Sequence, residues 1–265
     1  MKYCRLETSH GAQYAEVVDR EGQMWVDHLI LPFEEGPASD YVERAADTFS
    51  PLPLKEARTL VPVNPSKIIC VGRNYREHAA ELGNEVPAEP LLFLKAPSAL
   101  LAPGETIVIP ELSQRVDFEG EIAIVIGERC RKISMEEDPR DYIRGYTIAN
   151  DVTARDLQKK DGQWSRAKGF DTFCPVGPVV TDEVEPGSGI GVTTRLNGEL
   201  RQDGNTRDLI FPIDFLLRYI TAAMTLYPGD LILTGTPAGV AAMKPGDVVA
   251  VTVEGIGTLT NPVKA

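Results

Sequence analysis

Short apolar runs of strand-like length recur along most of this chain. Glycine and proline interrupt the sequence between them, and a run of this length bounded by turn residues is typical of a β-strand. The runs are Lys67–Val71, Thr106–Ile109, Glu121–Val125, Gly145–Ala149, Leu231–Leu233 and Val248–Val253. Apolar residues at helical spacing predict one clear helix over Ile213–Thr221, which ends before Pro228. The pattern therefore predicts a β-rich protein.

The first 60 residues have a different pattern from the rest. Tyr14–Val18 and Met24–Val26 predict two short strands around the turn Asp19–Gly22, and Asp40–Ala46 predicts a short helix. A proline-rich connection follows and ends near residue 64. We therefore expect a small N-terminal α+β domain over residues 1–64 and a larger domain over residues 65–265.

Composition and charge restrict the function classes. The 265 residues are 43% hydrophobic and 25% charged, which is ordinary for a globular protein with a full core. The net charge of −12 argues against a nucleic-acid partner, because no basic run offsets it. The four cysteines form no C-x-x-C motif, so we expect reduced thiols. Neither a signal peptide nor an apolar run of about 20 residues is found, so we expect a cytoplasmic protein without a membrane partner.

Three acidic residues suggest a metal site. Glu119 and Glu121 lie two apart in a strand-like run, so they share a face, and Asp151 follows thirty residues later. Buried like charges require a cation, and three carboxylates suit Mg²⁺ or Mn²⁺. The alternative is that one glutamate is solvated while the other pairs with Arg129 or Arg131.

His78 and Glu81 form a candidate catalytic pair. They lie three apart in a predicted helix, and a carboxylate beside an imidazole raises its basicity, as a general base requires. The alternative is a solvated surface helix. The other two histidines, His10 and His28, lie in the N-terminal unit and are interpreted as structural.

From Lys67 onward the chain resembles the fumarylacetoacetate hydrolase family over about 200 residues. The matching blocks occur in the family's order and are Val71–His78, Phe93–Lys95, Asp117–Glu121, Asn150–Asp156, Ala167–Asp171, Gly177–Pro178 and Leu233–Val240. The resemblance implies an α/β, β-rich fold with a core arranged as a mixed β-sandwich roll. It also implies a homodimer, and it assigns Glu119, Glu121 and Asp151 as ligands of Mg²⁺ or Mn²⁺.

The resemblance implies roles for further residues. Lys168 would stabilise an enolate, and Gln158 would reach toward water or substrate. Arg73, Arg155, Gly235 and Thr236 would bind or support the substrate. From the residues alone, alternatives stay open: Lys168 reaching solvent, Arg155 paired with Asp151 or Asp156, and Thr234–Pro237 forming an ordinary turn.

The function implied is metal-dependent hydrolysis of a C–C bond in a small 2,4-dioxo acid, an acylpyruvate or a fumarylacetoacetate-like compound. Decarboxylation or isomerisation of 2-oxo dicarboxylates is the alternative, because both reactions use the same enolate stabilisation. A non-catalytic, metal-stabilised binding module is disfavoured by the presence of His78, Glu81 and Lys168 together. The longer fumarylacetoacetases carry a further acidic ligand before the histidine, and the matching place in this chain, at or near Val71, is apolar. Their substrate preference therefore does not transfer.

Overall fold

The computed structural model describes residues 1–33, 49–81, 83 and 85–265. The predicted helix over 40–46 lies outside these residues. The first half of the chain contributes strands β1 (Lys2–Thr8), β2 (Gly11–Arg20), β3 (Gln23–Ile30), β4 (Leu52–Pro53), β5 (Thr59–Leu60), β6 (Ile68–Gly72), β7 (Leu91–Lys95), β8 (Leu100–Leu101), β9 (Ile107–Val108), β10 (Val116–Asp117) and β11 (Gly120–Ile126). The second half contributes β12 (Ile143–Asn150), β13 (Thr153–Ala154), β14 (Cys174–Thr181), β15 (Gly191–Leu196), β16 (Glu199–Asn205), β17 (Leu231–Leu233), β18 (Val248–Val253) and β19 (Gly257–Lys264).

The helices among the described residues are few and mostly short. The α-helices are α1 (Arg76–Glu81), α2 (Arg155–Asp161), α3 (Ser165–Lys168) and α4 (Ile213–Ala223). Single 3-10 turns lie at Leu54–Glu56, Pro97–Ala99, Pro139–Tyr142, Pro186–Ser188 and Thr206–Asp208. In the described part of the chain, no helix is long and apolar enough to cross a membrane.

Two sheets form the body of the protein. The larger has twelve strands with the main order β4-β3-β2-β1-β14-β12-β11-β17-β6-β7, and β5 and β8 pair with β1 and β14. The smaller has the order β16-β15-β18-β19-β9. Both sheets contain parallel and antiparallel pairs, since β17 runs parallel to β6 and β19 parallel to β9. The predicted β-rich, mixed-sheet fold is therefore confirmed.

Strand β11 lies at the centre of the core. Its even-numbered isoleucines belong to an apolar cluster shared with α4 and the second sheet, and Ala123 and Val125 belong to a second cluster on its other face. A strand that is buried on both faces reads as a continuous apolar run, which explains why this strand is readily predicted.

The N-terminal strands continue the larger sheet. Strand β1 pairs antiparallel with β14, joining Lys2 to Thr181 and Tyr3 to Val180. Tyr3, Cys4 and Leu6 are buried in the same clusters as residues of the larger unit. The division at residue 64 stays a prediction.

Candidate active site

Three carboxylates meet at the start of β11 and the end of β12. Glu119 directly precedes β11, Glu121 is its second residue, and Asp151 directly follows β12. The antiparallel register pairs Gly120 with Asn150, and the Asp151 amide donates a 2.8 Å hydrogen bond to the Glu119 carbonyl. One carboxylate oxygen from each acid lies within 4.8 Å of the others, and all three side chains are buried. The alternative of a solvated glutamate is therefore wrong.

Gly120 is required by close packing on the opposite face. A Cβ atom at this position would lie 2.2 Å from Thr194 Oγ1 and 2.9 Å from Val251 Cγ1, both in the second sheet. Because side chains alternate along a strand, Glu121 then lies on the other face. The glycine brings the two sheets together directly behind the carboxylates.

Buried cations neutralise two of the three carboxylates. Lys168 Nζ lies 2.7 Å from Glu119 Oε2 and 2.6 Å from Asp151 Oδ2, and Arg155 forms an ion pair with Glu119. Burial raises the pKa of Glu119, but the charges of Lys168 and Arg155 outweigh burial and hold that pKa far below its usual range. Lys168 is 2% exposed, so it does not reach solvent.

Glu121 lies in a less favourable environment. Its Oε2 accepts a 2.6 Å hydrogen bond from the Gly235 amide, and no lysine or arginine of the described residues forms a salt bridge with it. Burial raises the pKa of Glu121 well above its usual range, and the charges of Asp151 and Glu119 raise it further. The ionised form of Glu121 is therefore disfavoured, and a nearby cation would stabilise it.

The residues present therefore fit a divalent ion. The donor set consists of three converging carboxylates, and hard oxygen donors of this kind suit Mg²⁺ and Mn²⁺ better than soft metals. A bound ion would stabilise the ionised form of Glu121 most, because its negative charge has the least compensation from positive groups of the protein.

His78 lies in the same cavity as the carboxylates and projects from α1. Its ring is buried, and its Nδ1 lies 3.4 Å from Oε2 of Glu81. Both carboxylate oxygens of Glu81 accept 3.1 Å hydrogen bonds from the Gly239 amide. Burial lowers the pKa of His78, although the charge of Glu119 opposes this shift. The imidazole is therefore neutral near pH 7, with Nε2 available to accept a proton when Nδ1 donates to Glu81.

Arg155 is held by residues on both sides of the site. Its Nε donates to Asp117 Oδ2 at 2.9 Å, and its Nη1 donates to Gln158 Oε1 at 2.7 Å. Its carboxylate partners are therefore Asp117 and Glu119, not Asp151 or Asp156. Gln158 lies about one helical turn after Arg155 in α2, and it lines the cavity.

Thr236 and Arg73 both line the cavity. The Thr236 hydroxyl donates to the Gly120 carbonyl at 2.8 Å and accepts from Gln202 Nε2 at 2.7 Å, so it already has a partner in each direction. The guanidinium carbon of Arg73 lies 6.0 Å from the centroid of the Trp164 ring.

The structure brings nine of the eleven predicted site residues into one cavity. They are Arg73, His78, Glu119, Glu121, Asp151, Arg155, Gln158, Lys168 and Thr236. The other two, Glu81 and Gly235, lie behind it and contact His78 and Glu121. Their individual roles stay predictions.

The sequence profile described as fumarylacetoacetate (FAA) hydrolase C-terminal matches residues 67–264, which is most of the chain. The protein belongs to this family. A mitochondrial oxaloacetate tautomerase of Xenopus laevis is 45% identical over 216 residues, which cover 77% of this chain and 67% of that protein.

Two solved structures are also similar to this chain. One is the 5-carboxymethyl-2-hydroxymuconate delta-isomerase of Mycobacterium smegmatis, with 40% identity and a TM-score of 0.84 over 100% of this chain and 99% of that one. The other is the fumarylpyruvate hydrolase of Pseudomonas aeruginosa in complex with Mn²⁺ and pyruvate. It has 30% identity and a TM-score of 0.71 over 78% and 91% of the two chains.

Lys95 is a site residue that the sequence analysis did not assign. Its Nζ lies 2.6 Å from Asp151 Oδ1 and 3.1 Å from the Val152 carbonyl, and the side chain is buried. The available signal was a lysine ending the apolar strand Leu91–Lys95, where alternation places it on the same face as Phe93. Asp117 was missed in the same way, because it lies between Val116 and Phe118 in an apolar stretch.

Proposed function

We propose that this protein is a divalent-metal-dependent enzyme that interconverts the keto and enol forms of a small 2-oxo acid. The observation that carries the proposal is the single cavity in which neutral His78 and cationic Lys168 line the same space as three converging carboxylates. Support also comes from the family, in which relatives with 45% and 40% identity are named as a tautomerase and an isomerase.

Glu119, Glu121 and Asp151 would hold Mg²⁺ or Mn²⁺. When bound, the ion would act as a Lewis acid that polarises the 2-oxo carbonyl group and withdraws electron density from the adjacent carbon. The named Mn²⁺ complex of the Pseudomonas aeruginosa hydrolase supports this choice of ion.

The protein's own residues would move the proton and stabilise the charge. His78 Nε2 would remove the proton from the carbon next to the 2-oxo group, and Glu81 would stabilise the resulting imidazolium through Nδ1. The Lys168 ammonium, fixed between Glu119 and Asp151, would donate a hydrogen bond toward the enolate oxygen. The imidazolium would then give this proton to the enolate oxygen to complete the enol; in the opposite direction His78 would take the proton from the enol hydroxyl and deliver it to the carbon. Neither direction consumes water.

Hydrolysis of a C–C bond in an acylpyruvate is the second candidate. The same His78–Glu81 pair can deprotonate water, and the 30%-identical structure is named as a fumarylpyruvate hydrolase. Cleavage would also leave an enolate beside Lys168, so both reactions use the same cavity.

One assay series distinguishes these reactions. The protein is incubated with Mg²⁺ and either the enol form of oxaloacetate or acetylpyruvate. Rapid loss of the enol's ultraviolet absorbance without release of CO₂ supports the tautomerase, and release of acetate from acetylpyruvate supports the hydrolase. Release of CO₂ from oxaloacetate indicates decarboxylation. Absence of all three activities, with metal binding intact, would refute the enzyme proposal in favour of a binding module.

A further inference from the structure

Four side chains form what we call the aromatic wall of the candidate active site: Lys168, Phe93, Trp164 and Arg73. Lys168 Nζ lies 4.9 Å from the Phe93 centroid, the Phe93 and Trp164 centroids are 5.1 Å apart at 68°, and Arg73 lies 6.0 Å from the Trp164 centroid. These separations fall within the ranges of cation–π and edge-to-face contacts. Because all four line the cavity, the wall has one cation beside the carboxylates and another beyond Trp164.

The backbone at the outer end of the wall has an unusual conformation. Arg73 has φ 57°, in the left-handed region that residues with a side chain rarely adopt. At the preceding position, a Cβ atom on Gly72 would lie 2.9 Å from Trp164 Cζ3. Gly72 thus leaves space for the Trp164 ring, and the backbone conformation of Arg73 fixes the direction in which its side chain leaves the chain. Backbone restrictions of this kind concentrate at functional sites, where the orientation of a side chain matters.

Arg73 also lacks the partners that the other cations of the cavity have. Lys168 and Arg155 each form an ion pair with Glu119. In contrast, no Asp or Glu within residues 1–33, 49–81, 83 and 85–265 forms a salt bridge with Arg73. A half-buried guanidinium without an anion is available for the carboxylate of a ligand, which its planar donor geometry suits.

We propose that Trp164 is a specificity-determining residue, which positions Arg73 to bind the distal carboxylate of a 2-oxo dicarboxylic acid. This inference rests on the proposed function, in which the 2-oxo end of the substrate lies at Glu119, Glu121 and Asp151. The rigid rings of Phe93 and Trp164 set the separation between Lys168 and Arg73. The site therefore selects substrates with a negative charge at both ends, and it discriminates against analogues that lack the second charge.

The first test compares oxaloacetate with its 4-methyl ester, in which a neutral methyl ester replaces the distal carboxylate. Arg73→Gln should lower kcat/KM for oxaloacetate by about 10- to 100-fold, the usual effect of losing a charged hydrogen bond, and change the value for the ester by less than about threefold. Trp164→Ala and Gly72→Ala should also lower kcat/KM for oxaloacetate relative to kcat/KM for the ester, but by smaller factors. The change should appear in KM rather than in kcat. Trp164→Phe should retain more of the preference, because it keeps an aromatic ring in place.

A matched control uses the second tryptophan of the chain. The sequence contains two tryptophans, and Trp25 lies on β3 with its ring against Arg20, away from the aromatic wall. Trp25→Phe should leave the preference for oxaloacetate over the ester unchanged. If Arg73→Gln and Trp164→Ala lowered turnover of both substrates equally, the inference would be overturned while the tautomerase proposal would stand.

The second test measures binding without turnover. In the Trp25→Phe background Trp164 is the only tryptophan, so its fluorescence reports on the wall. With Mg²⁺ present, L-malate should change this emission at a concentration at least about tenfold lower than L-lactate does, and Arg73→Gln should abolish the difference. If the wild-type protein shows no tautomerase activity but keeps this preference, the proposed function fails while the dicarboxylate inference holds. Equal responses to malate and lactate would refute the inference.

Discussion

Glu121 and Glu119 illustrate how two neighbouring carboxylates acquire opposite properties. Both are buried, yet Glu119 contacts Lys168 and Arg155, whereas Glu121 accepts a hydrogen bond from the Gly235 amide. The pKa of Glu119 is therefore lowered and that of Glu121 is raised. Glu121 is therefore the carboxylate whose ionised form depends on a bound cation for stabilisation.

Glu121→Gln should weaken binding of Mg²⁺ and Mn²⁺ by more than the roughly 10- to 100-fold that is typical of changes outside the ligand shell, and it should abolish activity. Because the folded-state pKa of Glu121 is raised above 4.5, its ionisation above that pH opposes folding, and glutamine removes this cost. The metal-free variant should therefore melt at the wild-type temperature or above it. Titration calorimetry and thermal melts measure both effects, with exposed Glu128→Gln as the control. Unchanged metal affinity in Glu121→Gln would refute the ligand assignment.

His78→Ala should separate proton transfer from enolate stabilisation. Loss of a general base typically costs about 10²–10⁴-fold, so tautomerisation of oxaloacetate and any hydrolysis of acylpyruvate should fall by that factor. Decarboxylation of oxaloacetate should fall much less, because it needs no base. Lys168→Ala should reduce all of these rates, since each passes through an enolate. If His78→Ala reduced decarboxylation as much as the other reactions, the role of His78 as a general base would be contradicted. Unchanged rates in Lys168→Ala would contradict the role of Lys168 in stabilising the enolate.

The pH dependence should reflect the buried imidazole. Burial lowers the pKa of His78 below its usual 6.5, and the neutral ring is the form that accepts a proton. With saturating Mg²⁺, kcat should therefore fall only as the pH drops below 6.5. Glu81 raises this pKa, so Glu81→Gln should move the acid limb to still lower pH and reduce kcat. An acid limb with its midpoint above 6.5 would contradict this assignment.

At the scale of secondary structure, the elements that the sequence could predict are those with an uninterrupted apolar pattern. The runs at β11, β12 and β18 and the helix α4 were predicted within about two residues, because each buries a regular apolar pattern. The two-residue strands β10 and β13 carry no such pattern. They pair with each other across nearly forty residues, which local sequence does not encode.

The candidate site was predictable to a similar extent. The spacing of Glu119, Glu121 and Asp151 reflects local strand geometry and the family's motif order, and the acids do converge. Lys95 and Trp164 approach the cavity from separate elements through tertiary packing, so neither signals its position by spacing.

Gly120→Ala tests the packing behind the carboxylates. The new methyl group would overlap Thr194 Oγ1 and Val251 Cγ1, and overpacking of this kind typically costs about 1–3 kcal/mol. Urea unfolding should show that loss, together with weaker metal binding as β11 shifts. Gly191→Ala, where the nearest atom lies 3.6 Å away and the backbone requires no glycine, provides the matched control and should be nearly neutral. A wild-type midpoint in Gly120→Ala would contradict the close approach of the two sheets.

The whole molecule combines two sheets, and the family resemblance leads us to expect a homodimer. Leu94 on the terminal strand β7 and Phe215 on α4 are 47% and 46% exposed, and large apolar side chains on a surface favour association. Light scattering at micromolar concentration should give twice the 29.0 kDa mass of one chain. A mass equal to that of one chain would refute the expectation.

The pairing of β1 with β14 has a consequence for synthesis on the ribosome. Tyr3 pairs with Val180, which is 177 residues later in the chain (180 − 3). At about 5–20 residues per second, the first strand emerges roughly 9 to 35 s before its partner has been translated. During that interval the nascent β1–β2–β3 meander has one edge without its final neighbour, and exposed strand edges are prone to non-native association. Correct assembly of the larger sheet, which positions the carboxylates of the cavity, therefore requires that β1 avoid such association until β14 has been synthesised.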